Sequence, residues 1–481
     1  MKKLYIFLTT LCIAISCSYA QQNPETLGIT LSGNLASGSL IKPADSLEVY
    51  FFKEYDHRIF ERPAIYKIPI INGAFDLRID TKQKGYLLIL NLYIRTFYTN
   101  LFLVNPGDNL QLKGMGARKF NFTGRGSAAM NYQMAAGRIL YAPEYKFRED
   151  MNDTLKIAYL RNKERMQINT CLDSLRLLKN QLSERHYEEL RRLTIFAIKS
   201  IGFFDMSSFA DTNDPQYKKA LAIETARRLS IEQNQPEQEK RKNTEVFTYL
   251  FYLTEMNKTL LTLRYGTSKF PFEAGYDLII SKYNSSLRDK LLLQYFGMNK
   301  QSPTVPLYLP KALSLVKHKG SKTSLQQMAD ARLPGNLVYP FSFQDTLGKV
   351  TRISDLKGRV VLIDSWFVGC INCSILKKQM KPVIEHFKTN PNVVFLSLNV
   401  DQDKQRFIKG VNSGEYTAPE SMNLYTNGMG TEHPMLKYYQ YNGYPNLLLI
   451  DKQGKLISAN PPRPVEKRRV NELIELITNN L

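Results

Sequence analysis

The chain has 481 residues and a formal net charge of +21, with 43% hydrophobic and 11% aromatic side chains. This composition excludes a disordered chain, a collagen and a multi-span membrane protein, and the length suits about three domains. Five cysteines are too few for a disulfide framework, and a core of this size needs none.

Residues 1–20 read as a secretory signal. Met1, Lys2 and Lys3 precede an apolar run from Leu4 to Ile15, and Ser18, Tyr19 and Ala20 make a small-x-small cleavage site. The run is too short to span a hydrocarbon core of roughly 30 Å. A second reading places a lipid on Cys17, because Ala14-Ile15-Ser16-Cys17 loosely follows a lipobox. The expected location is the periplasm or cell envelope, either free or lipid-anchored. The basic residues are scattered, not striped, so they read as solvated faces and no nucleic-acid partner is expected. Outside the cytoplasm, attraction to anionic lipid or to acidic polymers fits the charge better.

Residues 25–125 are expected to form an all-β, sandwich-like domain. Leu47 to Phe52 and Leu87 to Leu90 have strand propensity. Asn72-Gly73, between Ile70-Ile71 and Ala74-Phe75, is a hairpin signal. Asn105-Pro106-Gly107-Asp108 is a turn: proline fixes φ and glycine permits a positive one.

Residues 126–330 are expected to be helical. Leu172, Leu175, Leu178 and Leu182 predict one helix face, and Glu188 and Arg192 an i,i+4 pair. Pro236 to Asn243 reads as a loop or an exposed helix end. Pro303, Pro306 and Pro310 punctuate an expected extended linker. Cys171 reads as a buried, inert helix cysteine.

Residues 333–481 change to an α/β pattern. Arg359 to Asp364 and Asn392 to Val400 predict strands, with a helix between them from Cys373 to about Lys388. Leu447 to Ile450 and Lys455 to Ile457 predict two further strands around a turn. A last helix follows Pro464, with Val470, Leu473, Ile474 and Ile477 on one face.

The chemistry lies in Cys370-Ile371-Asn372-Cys373, directly after a strand and opening a helix. Two cysteines three apart on a first helical turn can reach disulfide geometry. The helix N-terminus supplies partial positive charge, which stabilises a thiolate at the first cysteine. Cys370 is therefore expected to attack and Cys373 to resolve the mixed disulfide.

Asp364 to Cys373 resembles the active-site segment of thioredoxin, with Asp364 and Trp366 at that family's spacing before the cysteines. Pro340-Phe341-Ser342-Phe343, Gly348-Lys349, Leu356-Lys357-Gly358 and Asn399-Val400-Asp401 are similar to the TlpA-like thiol-disulfide oxidoreductases. Gly443-Tyr444-Pro445 resembles their cis-proline loop. The 25–125 segment loosely resembles the β-domain that precedes some exported thioredoxin-like proteins.

The resemblance implies a thioredoxin-like fold behind an all-β and a helical domain, and a role for each matching residue. Asp364 would be a buried carboxylate of raised pKa, a base toward Cys373. Pro445 would be cis, with the backbone at Tyr444 offering hydrogen bonds to an extended substrate, and Trp366 would pack near the disulfide. It implies a disulfide reductase with no cofactor. Its clients would be extracytoplasmic disulfide proteins and its electron source a membrane thiol donor. An exported oxidase or isomerase is the runner-up. A binding module with a redox-sensing domain is the reading from another class.

Some positions depart from the pattern. Asn372 stands where proline is frequent, Gly369 where tryptophan is frequent, and Asn446 where threonine is common. The absence of a histidine between the cysteines leans toward a reductant. Gln402 to Pro434 reads as an insertion, with Glu432 and His433 as loop residues. A structural zinc site would need a second ligand pair. Covalent haem would need histidine where Ser374 stands. The upstream proline and threonine of peroxiredoxins and the wider cysteine spacing of copper carriers are both missing.

Overall fold

Alternation gives the N-terminal strands their inward faces. Leu47, Val49 and Phe51 are buried along Ser46–Phe52, and Phe75, Leu77 and Ile79 along Ala74–Ile79. This computed structural model describes residues 28–35, 46–53, 63–90, 101–114, 120–141, 152–208, 210, 214–441 and 443–481. The expected signal segment and Cys17 lie outside the described residues.

Among the described residues the chain forms two compact units, one reaching Thr267 and the other running from Ser268 to Leu481. The first begins with strands β1 (Ile29–Asn34), β2 (Ser46–Phe52), β3 (Ala64–Pro69), β4 (Ala74–Ile79), β5 (Gly85–Leu90), β6 (Leu101–Val104), β7 (Asn109–Gly114) and β8 (Phe120–Thr123). They make two sheets, ordered β4-β1-β7-β8 and β3-β2-β5-β6. One core lies between them, containing Leu31, Val49, Leu77, Leu87 and Phe122, with Met130 of helix α1 (Ser127–Leu140). This is the expected sandwich.

The Asn72-Gly73 signal is only half a hairpin. Both residues take positive φ, 50° and 79°, and Ile71 and Ala74 exchange two backbone hydrogen bonds of 2.9 Å. The strands then part. β3 pairs with β2 and β4 with β1, so Ile68 and Phe75 reach the shared core from opposite sheets.

Helices α2 (Asp153–Arg176), α3 (Glu184–Ser207), α4 (Pro215–Gln233), α5 (Glu237–Thr244) and α6 (Phe247–Tyr265) follow. The leucine stripe is not one helix face: α2 ends at Arg176, and Leu178 and Leu182 join the same core from the turn after it. Pro236 to Asn243, polar as it is, winds into α5 with Pro236 as its N-cap residue. Glu188 and Arg192 pair at 3.4 Å, and Arg192 also binds Glu239 at 2.7 Å. Cys171 is a buried free thiol, pushed up to about 11 by that burial.

The second unit opens with helices α7 (Phe272–Lys282), α8 (Ser285–Met298), α9 (Val305–Leu315) and α10 (Lys319–Arg332). The expected proline linker is therefore corrected: it is largely α9. Pro306 sits in the first turn, where no N–H is needed, and Pro310 forfeits one bond, to the Pro306 carbonyl.

Next come β9 (Ser342–Gln344), β10 (Val350–Arg352), β11 (Val360–Trp366), α11 (Ile371–Phe387), β12 (Val393–Asn399), α12 (Lys404–Ser413), β13 (Met422–Tyr425), α13 (Pro434–Tyr438), β14 (Asn446–Ile450), β15 (Leu456–Ser458) and α14 (Lys467–Thr478). The strands form one sheet, β10-β9-β13-β12-β11-β14-β15. β11, β12 and β13 run parallel, and β14 lies antiparallel to β11. The stretch from Gln402 to Pro434 contributes to this sheet. It holds α12, whose Phe407, Ile408 and Val411 pack on one face, and β13, a strand integral to the sheet.

The period of two along β11 positions the site. Val361 and Ile363 enter the core on one sheet face, with Leu396, Leu424 and Leu448. Val360 and Leu362 enter the other, beneath α11 and α14. Asp364 and Trp366 continue that second face toward the N-terminus of α11.

Candidate active site

Cys370 is the N-cap residue of α11, and its Sγ accepts the Cys373 backbone N–H at 3.2 Å. The cysteines form a disulfide with Cα atoms 5.2 Å apart. The bond therefore sits at the positive end of a 17-residue helix, where a thiolate at Cys370 is favoured. Around it lie half-exposed Phe367 and the exposed Ile371 and Ile375, an apolar rim at a polar bond.

The segment before Cys370 is held by three side chains from α12 and its flanks. The Val368 N–H donates to Asp401 Oδ2 at 2.9 Å, and Arg406 Nη2 donates to the Val368 carbonyl at 3.0 Å. The Gly369 N–H donates to the Tyr416 hydroxyl at 3.0 Å. Asn399 secures Asp401 by donating to the same Oδ2 at 2.9 Å. Gly369 takes a φ of 96°, which favours glycine and accounts for its presence there.

Trp366 is fully buried and stacks on Tyr416, with ring centroids 5.2 Å apart and planes 8° apart. It shares a packed cluster with Cys370, Cys373, Phe407 and Tyr425. Its Nε1–H donates to Ser397 Oγ at 2.8 Å, and Ser397 in turn hydrogen-bonds the Asp364 carboxyl. Burial raises the Asp364 pKa from 3.8 to about 7, only partly offset by the serine. Asp364 opens on a narrow cleft shared with Lys377 and Met380 of α11, Ser397 and Tyr416.

The Tyr444–Pro445 peptide is cis. Tyr444 packs against the cysteine cluster and meets Phe367 edge to face, with centroids 5.9 Å apart. The adjoining β14 is tied to β11: Ser365 Oγ and Asn446 exchange bonds of 3.3 and 3.4 Å. Arg463 donates to the Pro445 carbonyl at 2.8 Å. Cys370, Cys373, Trp366 and Tyr444 thus share one cluster, with Pro445 next to Tyr444, and Asp364 joins it through Ser397 and the Trp366 Nε1–H.

Sequence reasoning did not single out Ser397, Arg406 or Tyr416. Ser397 leaves a faint mark, a polar residue between two leucines of its strand. Tyr416 and Arg406 leave none, because only the sheet register brings them to Gly369 and Val368. Tyr416→Phe keeps the stack on Trp366 and removes the acceptor for Gly369. It is expected to cost about 1 kcal/mol of stability and to slow alkylation of reduced Cys370 several-fold. Urea unfolding and timed iodoacetamide labelling check both.

Residues 358–456 match a family model described as thioredoxin-like. The thiol-disulfide oxidoreductase ResA of Bacillus subtilis is 29% identical over 124 residues, 25% of this chain and 62% of that protein. The chain thus spans less than two thirds of that relative. A candidate thiol-disulfide oxidoreductase of Bacteroides vulgatus aligns at 30% identity over 29% of this chain and 88% of its own, with a TM-score of 0.26. The thioredoxin domain of another Bacteroides vulgatus thiol-disulfide oxidoreductase aligns at 19% identity over 31% and 98%, also with a TM-score of 0.26. Residues 358–456 therefore carry a thioredoxin-like domain, similar to part of a thiol-disulfide oxidoreductase, with a disulfide at the N-terminus of α11 beside the parallel strands.

Proposed function

We propose that the whole chain is an exported reductase of protein disulfides. The observation that supports it most is the Cys370–Cys373 disulfide at the N-terminus of α11. In the reduced state, Cys370 thiolate attacks a client disulfide. The client S–S bond breaks, one client sulfur leaves as a thiol after taking a proton, and a mixed disulfide remains on Cys370. Asp364 accepts the Cys373 proton, and the Cys373 thiolate attacks Cys370 Sγ. The second client thiol is released and the Cys370–Cys373 bond re-forms. Each turnover therefore consumes one dithiol equivalent, supplied by a membrane thiol donor.

The direction rests on Ile371 and Asn372, which place no imidazolium beside Cys370 to stabilise its thiolate further. The location rests on the signal-like residues 1–20, with an anchor at Cys17 as the lipidated form. Tyr444, Pro445, Phe367 and Ile371 would receive an extended client segment beside the bond.

The test is reduction of insulin disulfides by the full chain with dithiothreitol as donor. Catalysis that vanishes in Cys370→Ala supports the reading. A rate no higher than dithiothreitol alone contradicts it. Cell fractionation and the mass of the mature N-terminus check export.

A further inference from the structure

The first unit holds a cavity that disulfide exchange does not use. It measures about 410 Å³ and lies where the turns after β4 and β6 meet the first turns of α3. Five basic side chains line it: Lys53, Lys82, Lys84, Arg185 and His186.

Part of this lining is organised. Lys84 is ion-paired with Glu189, whose side chain is only 10% exposed. Asn105 Nδ2 lies 3.2 Å from His186 Nδ1, fixing the ring at the wall. Glu189 is the one carboxylate of the lining, and Lys84 already neutralises it. Lys53, Lys82 and Arg185 make no ion pair among the described residues. Glu184, in the same turn of α3, does not line the cavity.

Among the described residues, the remaining balance is three cations without an ion pair around one concavity. The 24-residue α3 adds the positive end of its dipole there, with Ser183 capping only the His186 N–H. The concavity brings these charges to face one shared space, half open to solvent. Like charges gathered in this way repel one another, and an anion between them removes the repulsion.

We propose that this cavity binds a multiply charged oxyanion of phosphate chemistry, either free or carried on a lipid headgroup. The site is independent of the cysteines, so it stands or falls apart from the reductase reading. The probe is inorganic pyrophosphate, titrated calorimetrically into the full chain at low salt. The expected result is one site, weakened at least tenfold in both Lys82→Ala and Arg185→Ala and by added salt. A Lys82→Arg variant, which keeps the charge, should bind like the parent, and far-UV circular dichroism should be the same for all. Vesicles containing phosphatidic acid form the second arm. Binding to vesicles alone, lost in the same variants, assigns the site to a lipid-borne phosphate. No binding in either arm overturns the proposal, as does binding that the alanine variants leave unchanged.

Discussion

A Cys373→Ser variant is expected to accumulate mixed disulfides on Cys370 and to lose turnover by on the order of 10³-fold or more. Cys370 stands at the N-cap of α11 with the Cys373 N–H on its sulfur, so it retains its stabilised thiolate. The first half of the exchange proceeds. The second half lacks its thiol, and the client stays attached until an external thiol attacks. Non-reducing gels of the variant mixed with insulin should show an adduct that dithiothreitol releases. Cys370→Ser should show no adduct and comparable loss. An equal yield of adduct from both variants would mean that the two sulfurs are interchangeable and that α11 does not select the nucleophile.

Asp364→Asn should produce the other large effect, on rate and on stability with opposite signs. If the carboxylate is the base toward Cys373, resolution in the parent rises with pH through about 7, the value to which burial moves this group. The asparagine variant should lack that limb and resolve about 10²–10⁴-fold more slowly. Stability moves the other way. A carboxyl whose pKa is raised from 3.8 to about 7 by the fold binds its proton more tightly folded than unfolded. The contribution is complete below about pH 4 and is lost as pH rises through 7. Asparagine is exempt from that loss, so the variant should surpass the parent at pH 8 by at most on the order of 4 kcal/mol. Urea unfolding of both oxidised proteins at pH 4 and pH 8 measures the difference. A variant equal to the parent at both pH values would show that Asp364 is not desolvated in solution.

The features legible in the sequence are local ones. Asp364, Trp366, Cys370 and Cys373 lie within ten residues of one another, on one strand and the helix that follows it. Strand alternation, helix opening and glycine at positive φ are all decided over that distance. The Tyr444–Pro445 loop was legible because a resemblance extended to it. Tyr416, Arg406 and Ser397 were not, because the sheet register places β12 beside β11 and α12 beside the Phe367–Gly369 segment. The Asn72-Gly73 turn shows the same limit: its dihedrals follow from two residues, whereas the parting of β3 and β4 follows from distant β2 and β1. Pro306 and Pro310 misread as a linker because proline at the start of a helix looks, residue by residue, like proline in an extended segment.

Trp366 is the chain's single tryptophan, fully buried in the cluster that holds both cysteines. Its fluorescence therefore reports the Cys370–Cys373 bond without any substitution. The deciding measurement is a titration of that signal in thiol–disulfide buffers, with thiol counts at each end. A midpoint near or below roughly −250 mV is the result expected of a reductant that needs its own electron supply. A midpoint of roughly −120 to −180 mV would contradict the reducing direction and make the protein an oxidase or isomerase. Thiol counts that do not change across the titration would remove the disulfide from its chemistry altogether.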